Sequence, residues 1–150
     1  SKDSYFRPDA SITREEFVKL IVESFGLYNP SATSSFDDVA KDAWYYTYVS
    51  SAVEAGIIQG VSEASFGSSE KITRQDIATI IARILEKQGI KFDAAKSSFA
   101  DEAEISEYAK AAVSALSEMG IISGMGDNRF EPKSAATRAQ AAVMILRAIR

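Results

Sequence analysis

The sequence has 150 residues, of which 46% are hydrophobic and 25% are charged, enough to bury a core as one domain or as several repeats. It contains no cysteine and no histidine, which excludes thiol nucleophiles, imidazole bases, disulfides and the usual zinc ligand sets, so we expect no metal ion or cofactor. The net charge of −4 without a basic run argues against nucleic acid as a partner. No apolar run approaches the roughly 20 residues that a membrane span needs.

The first predicted element is a helix that begins in the segment ITREE at residues 12–16. Thr13 is a typical N-cap residue, and Glu16 three positions later completes a capping box. Arg14 is unexpected, because a cation at the first helical position faces the positive end of the helix dipole, at a cost of roughly 0.3 kcal/mol. The arginine therefore needs a separate explanation.

This helix start recurs in KITRQD at residues 71–76 and in ATRAQ at residues 136–140. Each Thr-Arg pair begins seven residues after a phenylalanine; the three phenylalanines are Phe6, Phe66 and Phe130. The matching offsets indicate an internal repeat. Each helix that follows carries an apolar stripe at helical spacing, which we interpret as core. The stripes comprise Phe17, Leu20, Ile21, Ser24 and Phe25, then Ile77, Ile80, Ile81, Ile84 and Leu85, then Ala141, Met144, Ile145, Ala148 and Ile149.

A second repeated segment precedes the two later phenylalanines. It contains a turn (FDDV or FADE), a helix over about residues 43–55 or 106–119, and the sequence GIIQG or GIISG. We call this helix the leading helix of a repeat and the helix after the Thr-Arg pair its trailing helix. Glycine after a helix favours a left-handed cap, so we assign backbone roles to four glycines. These are Gly56, Gly60, Gly120 and Gly124.

These patterns predict an all-α fold of tandem helix-loop-helix repeats. We expect a pseudo-threefold arrangement, with the trailing helices in a central three-helix bundle and the leading helices as peripheral prongs. The predicted units are a partial repeat over 1–33 and repeats over 34–96 and 97–150. Only five residues precede Phe6, so we expect the chain to begin inside a repeat. Polar segments at 28–35 and 91–98 link the units.

Two interpretations of Arg14, Arg74 and Arg138 remain open at this stage. Each arginine can pair with a nearby acid, such as Asp38 or Asp101, and so tie neighbouring repeats together. Alternatively, each arginine and the free amides of its helix start can form a pocket for a carboxylate or a phosphate.

Two interpretations are also open for Trp44. It is the only tryptophan, lies among three tyrosines, and corresponds to Tyr108 in the next repeat. It can pack partly into the core or stack on a sugar ring. An aromatic residue, an arginine and an aspartate repeated together suggest an acidic sugar as ligand.

The combination FDDVAKDAWYYTYVSSAVEAGIIQG, a later phenylalanine and ITRQD resembles the S-layer homology module, as does the segment from FADE to ATRAQ. FRPDASITREE resembles the closing half of another such module. The resemblance implies a pseudo-trimer whose grooves bind the secondary cell wall polysaccharide of Gram-positive bacteria, often through a pyruvylated amino sugar. It implies that the polysaccharide site contains Arg14, Arg74, Arg138, Asp38, Asp101 and Trp44. The absence of Asp38 and Trp44 counterparts in the first repeat predicts that one groove is incomplete.

From these observations we expect an extracellular, non-catalytic module that anchors the cargo domains of its own polypeptide in the cell wall or S-layer. The alternative is a protein-interaction scaffold in which the arginines only connect repeats. A glycan-cleaving enzyme is a weaker alternative, because the acid pairs Asp37/Asp38 and Asp101/Glu102 lie in turns, where acids are more often solvated or capping.

Overall fold

The computed structural model describes residues 7–92 and 97–149, and its regular structure there is helical. Within these ranges the five α-helices are α1 (Arg14–Ser24), α2 (Tyr46–Glu54), α3 (Arg74–Lys87), α4 (Glu107–Glu118) and α5 (Arg138–Ile149), and a short 3-10 helix spans Glu102–Glu104. The predicted all-α class of tandem helical repeats is confirmed. None of the helices in this part of the chain is long and apolar enough to cross a membrane.

All three trailing helices begin at the arginine, as predicted. At α1 the capping box is complete: Thr13 Oγ1 accepts from the Glu16 amide and the Glu16 carboxylate accepts from the Thr13 amide. The same reciprocal bonds join Thr137 and Gln140, at 3.0 and 3.1 Å. The threonine oxygen thus satisfies one of the amides that a helix start leaves without a partner.

The leading helices end at glycine, as expected. Gly56 follows α2 with φ of 74° and Gly120 follows α4 with φ of 73°, a backbone conformation that other residues rarely adopt. Gly60 has a different constraint, because a Cβ atom there would lie 2.5 Å from the carbonyl oxygen of Ser62. Glycine is therefore required at Gly60 for space.

The chain forms two compact units. The first unit is Ile12–Lys71, in which α1 packs against α2. The second unit comprises the described residues of Ile72–Ala148 together with residues 7–11, and in it α3 packs against α4. Each unit thus pairs the trailing helix of one sequence repeat with the leading helix of the next. The repeat boundaries and the threefold bundle stay predictions.

The predicted apolar stripe is buried throughout α3, where all five of its residues are at most 4% exposed. In the other trailing helices it is incomplete, since Leu20 is 36% exposed and Ile149 is 50% exposed. Phe66 and Phe130, the phenylalanines that precede the Thr-Arg pairs, are fully buried. The third phenylalanine of the set, Phe6, lies outside the described residues.

Short backbone pairings bring each trailing helix start against a loop. Isolated antiparallel bridges join Thr13 to Lys71, Thr73 to Ala135 and Ser11 to Thr137. The amides of the three arginines donate to the carbonyl oxygens of equivalent loop residues, which are Glu70 for Arg14, Ser134 for Arg74 and Ala10 for Arg138. In the two cases where the phenylalanine is described, the side chains of Arg14 and Arg74 lie beside the loops that contain Phe66 and Phe130.

Candidate functional site

In the first unit, the Arg14 guanidinium lies among backbone carbonyl groups. Its Nε donates to the carbonyl oxygen of Phe66 at 3.0 Å, and a terminal nitrogen donates to that of Gln59 at 3.3 Å. The guanidinium carbon also lies 5.1 Å from the centroid of the Phe66 ring, within range of a cation-π contact. Arg14 is only 6% exposed, so its guanidinium group is buried against the loop that contains Phe66.

In the second unit, Arg74 repeats this arrangement. Its Nε donates to the carbonyl oxygen of Phe130 at 2.8 Å, and a terminal nitrogen donates to that of Ser123 at 3.0 Å. The guanidinium carbon lies 4.8 Å from the centroid of the Phe130 ring, and the residue is 2% exposed. Burial lowers the pKa of Arg74, and the negative charges of Glu131 and Asp101 oppose that change.

Asp38 binds the amide groups of the same loop whose Phe66 carbonyl oxygen accepts from Arg14. Its carboxylate accepts hydrogen bonds of 2.8 to 2.9 Å from the amides of Phe66, Gly67 and Ser68, and one of 3.2 Å from the Ser65 hydroxyl. Burial by itself raises the pKa of this carboxyl group, but the hydrogen bonds outweigh burial and lower the pKa to about 2. Asp38 therefore stays ionised and fastens the loop.

Asp101 makes the equivalent hydrogen bonds in the second unit. It accepts from the amides of Phe130 at 2.8 Å and Glu131 at 2.9 Å, and it lies 3.8 Å from a nitrogen of Arg129. Burial opposes ionisation, yet these amide bonds and the Arg129 charge bring the pKa of Asp101 below its usual value. Asp101 is 3% exposed, so little of the carboxylate faces solvent.

The four residues Arg14, Arg74, Asp38 and Asp101 thus share one structural role. An aspartate binds the amide of the buried phenylalanine, and an arginine from the preceding repeat binds its carbonyl group. The arginines do connect repeats, as one interpretation of the sequence held, but the bonds described here go to carbonyl oxygens. Arg138 is partly exposed and its amide bonds Ala10. Contact between these residues and a polysaccharide stays a prediction.

Trp44 lies in a different environment, on the surface of the first unit. It is 57% exposed and packs edge-on against Tyr45 and Tyr48, with ring centroids 5.1 and 6.5 Å away. The ammonium group of Lys19 on α1 lies 5.9 Å from the ring centroids of both Trp44 and Tyr48. The Tyr48 hydroxyl donates to the Glu23 carboxylate at 3.1 Å. We call Trp44, Tyr48 and Lys19 the aromatic-lysine patch.

The second unit has a cavity of about 210 Å³ between α3 and α4 at the corresponding place. Tyr108, the counterpart of Trp44, is 59% exposed and lines it. Its hydroxyl donates to the Asp76 carboxylate at 2.6 Å, and burial together with that carboxylate raises the pKa of Tyr108 to about 12. The other lining residues are Thr79, Ala82, Arg83, Glu86, Phe92, Ala111 and Ala112.

The two surfaces differ in size and charge because their side chains differ at equivalent positions. Tyr48 of α2 corresponds to Ala112 of α4, so the second unit has open volume where the first has an aromatic ring. Lys19 of α1 corresponds to Thr79 of α3. The aromatic-lysine patch and the cavity beside Tyr108 therefore differ in shape and in the charged groups that they expose.

Sequence reasoning missed Lys19 and Arg83, the basic residues of these two surfaces. Lys19 lies five residues after Arg14 in α1, and no basic residue recurs at that position in the other trailing helices, so no repeated pattern marks it. Arg83 lies nine residues after Arg74 in α3, and a basic residue recurs there only as Arg147 of α5. Within the described part of the chain there is no group of three or more acidic or histidine residues arranged to hold a metal ion.

The S-layer homology domain family model matches residues 35–78 and 98–142. "Exoglucanase XynX" of Acetivibrio thermocellus is 32% identical over 145 residues, which is 95% of this chain and 13% of that protein. "Surface-layer 125 kDa protein" of Lysinibacillus sphaericus is 31% identical over 147 residues, 96% of this chain and 12% of that protein. "S-layer protein sap" of Bacillus anthracis is 28% identical over 141 residues, 93% of this chain and 17% of that protein. The chain thus spans less than a fifth of each relative.

Proposed function

The chain belongs to the S-layer homology domain family, and from this we propose that it is a non-catalytic module that binds an anionic cell wall polysaccharide. By doing so it holds a larger exported protein on the cell surface. The polysaccharide class that fits best is a secondary cell wall polymer with pyruvylated amino sugars. The cargo domains belong to the same polypeptide.

The pattern of relatives supports anchoring over catalysis. Nearly the whole chain matches a relative named as an exoglucanase, and nearly the whole chain also matches relatives named as surface-layer proteins. In both cases the matched segment is a small part of the protein. A segment shared by proteins with such different names fits a common attachment role better than glycan cleavage.

The aromatic-lysine patch is the observation that carries the proposal. An exposed indole offers an apolar face to a sugar ring, and an ammonium group beside it offers a partner for a carboxylate. Trp44 and Lys19 supply both groups within one sugar-sized area. We assign stacking to Trp44 and recognition of the acidic substituent to Lys19.

The cavity beside Tyr108 is proposed as a second subsite with a different preference. Its volume of about 210 Å³ fits part of a sugar residue, and Arg83 brings a cation to its lining. The predicted site residues Arg14, Arg74, Asp38 and Asp101 act here by holding the loops of each unit. Of the three arginines predicted to line the site, Arg138 is partly exposed, whereas Arg14 and Arg74 are buried.

A sedimentation experiment tests the proposal. The chain is mixed with cell walls stripped of protein, and the expected result is that it pellets with them. Trp44→Ala should weaken binding by about tenfold, in keeping with the loss of one aromatic stacking contact. Val143→Ala is the matched control, because Val143 is also an exposed apolar residue, at 42%, but lies on α5. Binding only to walls that retain their proteins would instead indicate a protein-interaction scaffold.

A further inference from the structure

Helix α1 carries the opposite charge from the other trailing helices at one repeat position. Nine residues after the arginine of the Thr-Arg pair, α3 has Arg83 and α5 has Arg147, whereas α1 has Glu23. The nearby cation of α1 is Lys19, four residues before Glu23, and residues at that spacing lie on the same face of a helix. The first unit therefore presents an anion where the other two trailing helices present a cation.

The Glu23 carboxylate lies at the hydroxyl end of Tyr48. It accepts a hydrogen bond from the Tyr48 hydroxyl at 3.1 Å, and burial together with this carboxylate raises the pKa of Tyr48. The ammonium group of Lys19 lies 5.9 Å from the centroid of the same ring, so both charges adjoin one tyrosine. Glu23 is exposed, and its carboxylate has further lone pairs that can accept hydroxyl or amide protons of a sugar. It repels a second carboxylate.

Tyr28 adds an exposed ring to this surface. It is 50% exposed, and its ring centroid lies 5.1 Å from that of Tyr48. The next residue, Asn29, donates its backbone amide to the Ser51 hydroxyl at 2.9 Å and its side-chain amide to the Glu54 carboxylate at 3.1 Å, and both partners belong to α2. The ring is therefore held against α2 while half of its surface faces solvent. An aromatic side chain fixed in this way loses little conformational entropy when a ligand stacks on it.

The aromatic surface of the first unit extends beyond one sugar ring. Tyr48 joins the two exposed rings, because its centroid lies 6.5 Å from that of Trp44 and 5.1 Å from that of Tyr28. Three rings in contact offer more apolar surface than a single sugar ring covers. The second unit has Ala112 and a cavity where the first has Tyr48, so it lacks the ring that makes this surface continuous.

We propose that Tyr28 and Glu23 form a second sugar subsite beside the aromatic-lysine patch, and that this subsite accepts a sugar without an acidic substituent. This assignment rests on the function proposed above, in which Trp44 and Lys19 hold the acidic sugar. The neighbouring sugar stacks on Tyr28 and donates a hydroxyl or amide proton to Glu23. The ligand class is thus a polymer in which an acidic sugar adjoins an uncharged one, rather than a polymer with an acid on every sugar.

Calorimetric titration with purified secondary cell wall polysaccharide tests the role of Tyr28. Tyr28→Ala should weaken binding by about fivefold, in keeping with the loss of one stacking contact. Tyr28→Leu keeps an apolar side chain beside Tyr48 and should weaken binding as much, because it also lacks a ring. Unchanged binding in either variant, even with a lower Tm, would overturn the second subsite alone. No binding by the original chain would overturn the proposed function and the subsite with it.

Competition by tetragalacturonate, which has a carboxylate on every sugar, tests the role of Glu23. Glu23→Gln keeps an acceptor for the Tyr48 hydroxyl but removes the charge, so it should bind the wall polysaccharide within about twofold of the original chain. Tetragalacturonate should displace the polysaccharide from this variant at a concentration at least about fivefold lower than from the original chain. Glu63→Gln is the control, because Glu63 is another exposed acid of the first unit and its replacement removes the same charge. No gain in competition for Glu23→Gln, or equal gains in the two variants, would overturn the proposed selection by charge.

Discussion

The Nε atom of Arg74 donates a 2.8 Å hydrogen bond to the carbonyl oxygen of Phe130, 56 residues further along the chain. Arg14 and Phe66 have the same relationship at 3.0 Å. A cation at a helix start is unfavourable on local grounds, but it is stabilised here by carbonyl dipoles and by an aromatic face. The side chains of Arg14 and Arg74 therefore stabilise the fold, each by joining a trailing helix to the loop of the next repeat.

Arg74→Ala should lower the free energy of unfolding by about 3 kcal/mol, because it removes two charge-assisted hydrogen bonds and leaves the carbonyl of Phe130 without that donor. Urea unfolding followed by circular dichroism measures the change. Arg147→Ala is the control, since Arg147 is exposed, and it should cost about 0.5 kcal/mol or less. Similar losses for the two variants would contradict the role of Arg74 in holding the loop.

Asp38 should make stability depend on pH in the acid range. Its pKa is about 2 in the folded protein and about 3.9 in an unfolded chain, so the unfolded state binds the proton first as pH falls. The stabilisation by the carboxylate is complete above about pH 4 and declines towards pH 2. Asp38→Asn should lower stability at pH 7 and flatten the decline between those values.

Thermal unfolding at a series of pH values measures this effect. Asp37→Asn is the natural control, because Asp37 is the adjacent residue and is exposed. That variant should keep the decline between pH 4 and pH 2. An Asp38→Asn protein with the same pH profile as the original chain would show that the amide bonds to Asp38 do not set its acid stability.

The glycine pair Gly60 and Gly124 should tolerate alanine unequally although the two occupy the same repeat position. A Cβ atom at Gly60 would lie 2.5 Å from the carbonyl oxygen of Ser62, whereas the nearest atom to one at Gly124 is 3.1 Å away. Gly60→Ala should cost about 3 kcal/mol and Gly124→Ala about 1 kcal/mol. Denaturant midpoints of the two variants measure the difference, and equal costs would contradict the described packing of the first loop.

Lys19→Met should weaken polysaccharide binding by about five- to tenfold at low salt, with little change in stability, because the variant keeps the apolar stem and removes the charge. The difference should shrink at high salt, where ionic contacts are screened. Calorimetric titrations at two salt concentrations measure both effects. A loss of binding that is independent of salt would show that Lys19 does not meet a charged substituent.

Much of the fold is predictable from the sequence because its signals are local or periodic. The Thr13 capping box, the helix ends at Gly56 and Gly120, and the buried stripe of α3 all follow from spacing along one segment. The packing of α1 against α2 is harder to predict from the sequence, because the two helices belong to different repeats. Nothing in the local sequence shows which leading helix a trailing helix contacts.

The candidate site was harder to predict, because burial decides what a charged residue can do. Arg14 and Lys19 lie on the same helix and both carry a positive charge, yet only Lys19 reaches an exposed aromatic surface. The sequence motif draws attention to the arginine, since it recurs three times. The lysine recurs at no other equivalent position, so only the packed structure singles it out.

We propose that the module binds an anionic wall polysaccharide through the aromatic-lysine patch and the cavity beside Tyr108. The most direct measurement is a calorimetric titration of the chain with purified secondary cell wall polysaccharide, in its native form and after removal of the pyruvate groups. We expect saturable binding of the native polymer, at least about tenfold weaker binding of the treated polymer, and no release of reducing ends. No binding of the native polymer, or equal binding of the two forms, would contradict the proposal.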